Sequence, residues 1–223
     1  MITAPDKTEI SLECYREYTD SLLVGHSAPC LAVVSQLLDR GIALPPLYTD
    51  LFQRSLYEIG ELWERNIISV ATSHLATSIT ERVMSAAYPR LFAQPRCGRS
   101  AVISCAVNEY HQVGGRMVAD ALEMQGWDTW FLGANQRIDE LRKFIANKKP
   151  DLVGLSASIY ATLPILRETV DSLRKEFPQT PIIVGGQAFR LGGAALFELP
   201  QVTCIRTLVQ LQEYLRGFPR EQH

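Results

Sequence analysis

Residues 101–115 read AVISCAVNEYHQVGG, an apolar run that passes directly into a polar loop and then into two glycines. Four more short apolar runs follow along the chain and alternate with amphipathic stretches, a pattern typical of strands alternating with helices. The predicted strands are 101–107, 128–132, 152–156, 182–184 and 202–205, and the predicted helices lie near 112–125, 137–147, 161–176, 190–197 and 207–216. This alternation predicts a five-stranded parallel sheet with helices on both faces.

Upstream of this region the sequence is helical in character, because apolar side chains recur at helical spacing from about residue 7 to residue 93. The second predicted helix, 28–40, places Leu31 on its apolar side and stops at Gly41. The third opens at Pro45 and places Trp63 on its inward face, and the fourth starts after Ser69 as N-cap and runs to about residue 92. Four helices joined by short loops predict a four-helix bundle.

The segment 94–100, QPRCGRS, fits neither pattern and is typical of a linker. We therefore predict three parts: a helical bundle at 7–93, a linker at 94–100 and an α/β domain at 101–223. Residues 1–6 are expected to form only a short leader, with no DNA-reading module.

Composition excludes several classes of protein. The 223 residues carry a formal net charge of −2 and include no run of Lys or Arg, which argues against direct nucleic-acid binding. The five cysteines form no C-x-x-C pair, and no signal peptide or apolar stretch long enough for a membrane span is present. We expect a cytoplasmic protein without membrane contact.

Polar and glycine residues follow three of the predicted strands, at the sheet edge where ligands of such folds bind. Glu109 and His111 follow the first strand, and the carboxylate is close enough in sequence to accept a hydrogen bond from the imidazole. The remaining residues of this kind are Gly114, Gly115, Ser156, Ser158, Gly185 and Gly186. Taken singly, each has a plain alternative: His111 as a surface histidine, the serines as helix caps and the glycines as turn residues.

The three clusters together closely resemble the signature of cobalamin-binding domains, D/E-x-H-x-x-G, then S-x-L or a variant, then G-G. Here 41 residues separate Gly114 from Ser156, and 26 separate Ser158 from Gly185. The resemblance implies a Rossmann-like, flavodoxin-like α/β domain that binds cobalamin, with His111 as the lower axial ligand to cobalt. It also implies that the serines contact the nucleotide tail of the cofactor and that Gly185 and Gly186 line its channel. The expected cofactor-binding residues also include Tyr110, Gln112 and Gly115.

The helical half resembles the cap that covers the upper face of the corrin ring in this family. The stretch from Trp63 to His74 is similar to the regulatory and light-sensing subclass, in which a tryptophan packs over the upper axial ligand. Ser73 replaces the usual glutamate there, and Glu64 stands where a light-state histidine ligand is usual, so adenosylcobalamin is doubtful as the native form. Two alternatives stay open: Trp63 as an ordinary bundle-core aromatic, and His74 as a capped or core histidine rather than an upper ligand.

The resemblance, which spans nearly the whole chain, is to CarH-type light-sensing modules and to stand-alone antirepressors of the AerR/PpaA type. It implies a sensor of light or of cofactor status that regulates transcription through a protein partner, is not an enzyme, and forms a light-dependent oligomer. Three other functions stay open: a corrinoid methyl-carrier subunit of a methyltransferase system, a cobalamin chaperone or store, and a haem-binding variant. The upper ligand of the cobalt is expected to be adenosyl, methyl or hydroxo.

Overall fold

The computed structural model of the protein describes residues 9–92 and 94–218. For Leu191, within the second range, it describes the backbone only. The chain divides into two compact units, Met1–Leu91 and Phe92–His223. The predicted leader at 1–6, and the outer ends of the predicted ranges 7–93 and 101–223, lie outside the described residues.

The first unit is helical, as predicted, and the hydroxyl groups of Ser11 and Ser69 cap two of its helices by accepting hydrogen bonds from the Cys14 and Thr72 amides. The third helix is continuous but passes through a π-helical segment in its first half. The helices are α1 Leu12–Leu23, α2 Ser27–Asp39, α3 composed of Leu44–Pro46, Leu47–Gln53 and Arg54–Glu64, and α4 Val70–Met84.

The described core of the helical unit is apolar but contains two buried hydrogen bonds between side chains. Large side chains fill it, among them the fully buried Tyr18, Leu22, Leu37, Tyr48, Phe52 and Ile79. The Tyr18 hydroxyl lies 3.1 Å from Thr80 Oγ1, and Thr19 Oγ1 lies 2.8 Å from Ser55 Oγ. Because these groups are paired, their burial avoids the penalty of a lone polar group in an apolar core.

Three details of the predicted bundle were wrong. Leu31 is 46% exposed and Trp63 is 43% exposed, so neither faces the core; the inward positions of α2 are Cys30, Val33, Val34, Leu37 and Leu38. The fourth α-helix ends at Met84, and Ser85–Arg90 continue it only as a 3₁₀-helix. Pro89 lies inside that segment and lacks the N–H that an α-helical hydrogen bond would need.

The second unit is a five-stranded parallel sheet in the order β2-β1-β3-β4-β5, which confirms the predicted α/β fold. Its strands are β1 Ser100–Cys105, β2 Asp128–Phe131, β3 Leu152–Ser156, β4 Ile182–Gly185 and β5 Val202–Ile205. Its helices are α5 Val113–Glu123, α6 Ile138–Lys148, α7 Leu163–Glu176 and α8 Leu208–Arg216. This is the flavodoxin-like strand order.

The sheet is covered on both faces by helices, as its apolar strands require. One core cluster joins Leu141 of α6 and Leu166 of α7 to Val153 of the sheet. The other joins α5 and α8 to the opposite face, through residues that include Leu122, Leu211 and Ile103. The helices that follow β1 and β3 therefore lie on opposite faces, and a crevice is expected between the ends of these two strands.

Two predicted elements of this unit differ in the structure. β1 ends at Cys105 rather than at residue 107, because the chain turns there: the Glu109 amide donates to the Ala106 carbonyl and Asn108 has a left-handed φ of 62°. The predicted helix near 190–197 was wrong. Two short 3₁₀-helices, Gln187–Leu191 and Gly193–Phe197, stand there, separated by Gly192 with φ 115°.

The segment before β1 is bound to the α/β unit by side-chain and backbone hydrogen bonds. The Arg96 guanidinium donates to the Glu123 carboxylate at 2.5 Å and to the Trp127 carbonyl at 2.6 Å. The Cys97 amide donates to the Gly126 carbonyl at 2.9 Å, and Arg99 forms an ion pair with Asp151 at 2.7 Å. Residues 96–99 thus pack as part of the sheet domain.

Across residues 9–92 and 94–218, none of the helices has the length and the apolar character that crossing a bilayer demands.

Candidate functional site

Part of the predicted site lies at the ends of β1 and β3, where the strand order reverses: Glu109 and His111 follow β1, and Ser156 and Ser158 stand at the end of β3. Cys105 and Ser156, the last residues of these strands, are register partners in the sheet. The loop after β1 carries Glu109 and His111, and the chain after β3 continues into Ala157 and Ser158. The topology therefore brings Glu109 and Ser158, which are 49 residues apart in sequence, to the position where open α/β sheets bind ligands.

Glu109 is the residue that joins these two loops. Its side chain is completely buried, at 0% exposure, and both carboxylate oxygens accept hydrogen bonds. Oε1 accepts from His111 Nδ1 at 2.7 Å and from the His111 amide at 2.9 Å. Oε2 accepts from the amides of Ser158 at 2.6 Å and Ile159 at 3.1 Å. Four donors thus compensate the burial of this carboxylate, and the imidazole is fixed to the loop that follows β3.

His111 is held by one ring nitrogen and keeps the other for a ligand. Its side chain is 44% exposed, in contrast to the buried Glu109. Because Nδ1 is hydrogen-bonded to Glu109, Nε2 is the ring nitrogen that can coordinate a metal ion. A carboxylate–histidine pair of this kind fixes the tautomer and the ring orientation of metal-ligating histidines and raises their basicity.

The charges of the pair reinforce each other. Burial alone would raise the pKa of Glu109, but the hydrogen bonds from the His111 ring and from the three amides outweigh it, so that the pKa is lowered. The hydrogen bond to the Glu109 carboxylate raises the pKa of His111, with partial burial acting in the opposite direction. Glu109 is therefore an anion at neutral pH and stabilises positive charge at the imidazole or beyond it.

Gly114 and Gly115 differ in what the protein itself demands of them. A Cβ at Gly115 would lie 3.2 Å from Phe131 Cε2 and 3.4 Å from Cys105 Sγ, so glycine allows the start of α5 to approach the sheet. A Cβ at Gly114 would meet Ser156 Oγ at 3.9 Å, an ordinary contact. Packing within the chain thus explains why residue 115 is a glycine. At position 114 packing does not demand one, and the absence of a side chain there leaves space beside Ser156. The chain therefore leaves the position beside Gly114 open to close approach by a ligand.

Gly185 and Gly186 lie against neighbouring backbone. A Cβ at Gly185 would stand 2.3 Å from the Ile205 carbonyl oxygen, and one at Gly186 would stand 2.3 Å from the Ala157 carbonyl oxygen. Gly186 also has φ 111°, which side-chain-bearing residues rarely adopt. The two glycines therefore allow the end of β4 and the start of the next loop to pack closely against the backbone of Ile205 in β5 and of Ala157 after β3. Its predicted part in lining a channel stays a prediction.

We expect Gly186→Ala to destabilise the α/β unit by about 2–3 kcal/mol, because it combines an unfavourable φ with a clash against fixed backbone. Thermal denaturation of the purified protein measures this loss. Gly98→Ala is the matched control, since Gly98 also has a positive φ, 73°, but its Cβ would meet nothing within 4 Å. An equal loss in both variants would mean that φ alone, and not the contact with Ala157, decides the effect.

The other predicted cofactor residues occupy different settings. Tyr110 is 66% exposed beside His111, and Gln112 is the N-cap residue of α5. Trp63, near the end of α3, and His74, on α4, are both exposed on the helical unit. Their exposure disagrees with the alternatives of a core tryptophan and a core histidine; their contact with cofactor stays a prediction.

One residue of the site was missed in the sequence. Asn135, in the loop after β2, contacts each of the three residues that precede His111. The signal that could have indicated it is its position directly after Gly133-Ala134 at the end of a strand, the same position in the sheet as the recognised clusters.

Comparisons with known proteins point to cobalamin as the ligand. Two family profiles, each described as a B12 binding domain, match residues 99–207 and 15–88. The repressor CarH of Myxococcus xanthus, described as an HTH-type transcriptional repressor, is 29% identical over 78% of this chain and 58% of its own length. CarA of the same organism, described in the same words, is 30% identical over 59% of this chain and 46% of its own length. The chain thus spans about half the length of these relatives.

A solved structure shares the fold. The monomethylamine corrinoid protein of Methanosarcina barkeri superimposes with a TM-score of 0.78 over 91% of this chain and 97% of its own, at 16% sequence identity. At this identity the likeness concerns the fold alone. Both halves of the chain thus match profiles of B12 binding domains, and a buried Glu109 orients His111 at the switch point of the sheet. The chain is a cobalamin-binding protein that is similar in sequence to CarH and CarA.

Proposed function

We propose that this chain is a cobalamin-binding regulator that acts through a protein partner, with His111 as the lower axial ligand to cobalt. The observation that supports this most directly is the Glu109–His111 pair. Glu109 holds Nδ1 at 2.7 Å and is itself held by two amides of the opposite loop, so that His111 is oriented before any ligand arrives. Such preorganisation lowers the entropic cost of forming a coordinate bond.

Different residues of the sheet domain would bind different parts of the cofactor. His111 Nε2 would take the place of the cofactor's own lower base, and Glu109 would increase its donor strength. Ser156 and Ser158 would contact the nucleotide tail, beside the space that Gly114 leaves open. When bound, cobalamin supplies a cobalt ion whose upper ligand can be exchanged in response to light or to the form of cobalamin that is available.

The regulatory part of the proposal is supported by the relatives, which are described as transcriptional repressors. The exposed Trp63 supports it further, because an exposed tryptophan on a helical bundle offers a broad apolar face to a ligand or a partner. The signal is either light or the state of the cofactor, and the output is the binding of a regulatory protein, or a change of assembly, that depends on that state.

The test is to load the purified protein in the dark with hydroxo-, methyl- and adenosylcobalamin, to desalt it, and to record its elution volume before and after illumination. We expect a change in elution volume, or in affinity for a candidate regulatory partner, with at least one form of the cofactor. A spectral change alone does not support the proposal, since free alkylcobalamins also react with light.

The alternative is a corrinoid methyl carrier. It would be favoured if the methylcobalamin-loaded protein delivered its methyl group to a thiol acceptor in the presence of partner enzymes while its assembly stayed the same in dark and light. That outcome would contradict the regulatory proposal and would leave the assignment of His111 standing.

A further inference from the structure

The loop that presents His111 depends on a second loop of the sheet domain. Between β1 and α5, residues 106–112 belong to neither a strand nor a helix, and Asn108 has a left-handed φ of 62°. Asn135 stands beside them in the loop after β2 and also has a left-handed φ, of 49°. Backbone of this kind persists only where surrounding contacts determine it.

Asn135 makes three hydrogen bonds to three consecutive residues. Its Oδ1 accepts from the Asn108 amide at 2.9 Å, and its own amide donates to the Glu109 carbonyl at 2.9 Å. Its Nδ2 donates to the Tyr110 hydroxyl at 3.2 Å. The next residue along the chain is His111. One side chain and its backbone therefore fix the segment from which the imidazole projects.

Each of these contacts constrains a different freedom of the loop. The bond to Asn108 fixes the turn that ends β1. The bond to the Glu109 backbone places the carboxylate at the depth where it reaches the amides of Ser158 and Ile159. The bond to Tyr110 directs a large, exposed aromatic ring toward the β2 loop.

We propose that Asn135 is a positioning residue for cobalt ligation: it holds the 108–110 segment so that His111 is presented in one orientation. This rests on the proposed role of His111. Asn135 acts through that segment, so its loss reduces the fraction of cofactor that is histidine-ligated. The carboxylate–histidine pair fixes the rotation of the ring, and Asn135 fixes the backbone that carries the pair.

Asn135→Gly tests this, because glycine keeps the left-handed backbone and the amide while it removes both side-chain bonds. Lys149→Gly is the matched control: Lys149 is exposed, has φ 48°, and lies at the end of α6, before β3. Both variants and wild type are loaded with hydroxocobalamin and reduced to the cobalt(II) form. The proteins carry ¹⁵N-labelled histidine, so that the electron paramagnetic resonance spectrum distinguishes the doublet coupling of a ligating histidine from the triplet coupling of the cofactor's own base. The ratio of the two gives the histidine-ligated fraction. Equilibrium titration gives the affinity.

We expect N135G to lower the affinity roughly 10-fold, which is about the worth of two exposed hydrogen bonds, and to leave a visible fraction without histidine. K149G should match wild type. Tyr110→Phe, which removes one bond without altering the backbone, should show a smaller change in the same direction and serves as the test if N135G does not fold. Wild-type affinity and ligation in both N135G and Y110F would overturn the role of Asn135. Absence of histidine ligation in wild type would instead overturn the proposed role of His111.

Discussion

Replacing His111 by alanine is expected to abolish histidine ligation of the cofactor and to lower cobalamin affinity by about 100-fold or more. The reason is that His111 is the one imidazole at the switch point among residues 9–92 and 94–218, and Glu109 orients it. The loss of groups that only support a metal ligand already costs about 10–100-fold. The cofactor that still binds should show the spectrum of a form ligated by its own base or by water. Absorption spectra after desalting, together with equilibrium titration, measure both effects.

His26→Ala is the matched control for this variant, because His26 is exposed at the start of α2 and its side chain makes no capping hydrogen bond. It should bind cobalamin as wild type does. The melting temperature of the apo form of H111A should stay close to that of wild type, since the Ser158 and Ile159 amides and the residue 111 amide still satisfy Glu109. A histidine-ligated spectrum in H111A would show that another residue binds the cobalt.

Replacing Glu109 by glutamine is expected to damage both the fold and the site. The carboxylate accepts hydrogen bonds at both oxygens, whereas an amide group has one oxygen and one NH₂ group. Whichever way the amide turns, its NH₂ faces amide donors on one side, and at least one buried donor loses its acceptor. We expect a loss of about 2–4 kcal/mol in the free energy of unfolding and a 10–100-fold loss of cobalamin affinity.

Thermal or chemical denaturation of the apo-protein and titration with hydroxocobalamin measure the two effects separately. Asp139→Asn makes the same change of charge at an exposed carboxylate that pairs with Arg137, and it should alter neither quantity. If E109Q unfolded at the same denaturant concentration as wild type, the four hydrogen bonds of Glu109 would have no net value for the fold, and its place as the link between the two loops would be wrong.

The parts of this protein that follow from sequence are those fixed by periodicity and topology. Alternation of strands and helices predicted the parallel sheet. Because carboxyl ends of parallel strands share one edge, the motifs at Glu109, Ser156 and Gly185 could be expected to meet. The structure brings the first two together through the hydrogen bond that the Ser158 amide donates to the Glu109 carboxylate, and it pairs the last two in the sheet. These relations depend on strand ends alone.

What could not be predicted depends on single backbone angles and on the solvent exposure of single side chains. The part of Asn135 rests on left-handed conformations at Asn108 and at Asn135 itself, which no hydrophobic pattern indicates. Trp63 fits the apolar stripe of α3 yet is exposed, since periodicity gives the face of a helix but not where the buried region ends. Gly192 interrupts a stretch whose composition otherwise suits a helix.

The attachment of residues 96–99 to the sheet domain decides where this protein can be cut. A fragment that starts at Ala101, the predicted domain boundary, would discard Arg96 and Arg99 and leave the Glu123 and Asp151 carboxylates without these cationic partners. It would also remove the Cys97 amide that bonds to Gly126. A fragment intended for isotope labelling or for fusion to another protein should therefore begin at Gln94. It then keeps residues 96–99 and their hydrogen bonds and ion pairs with the sheet domain.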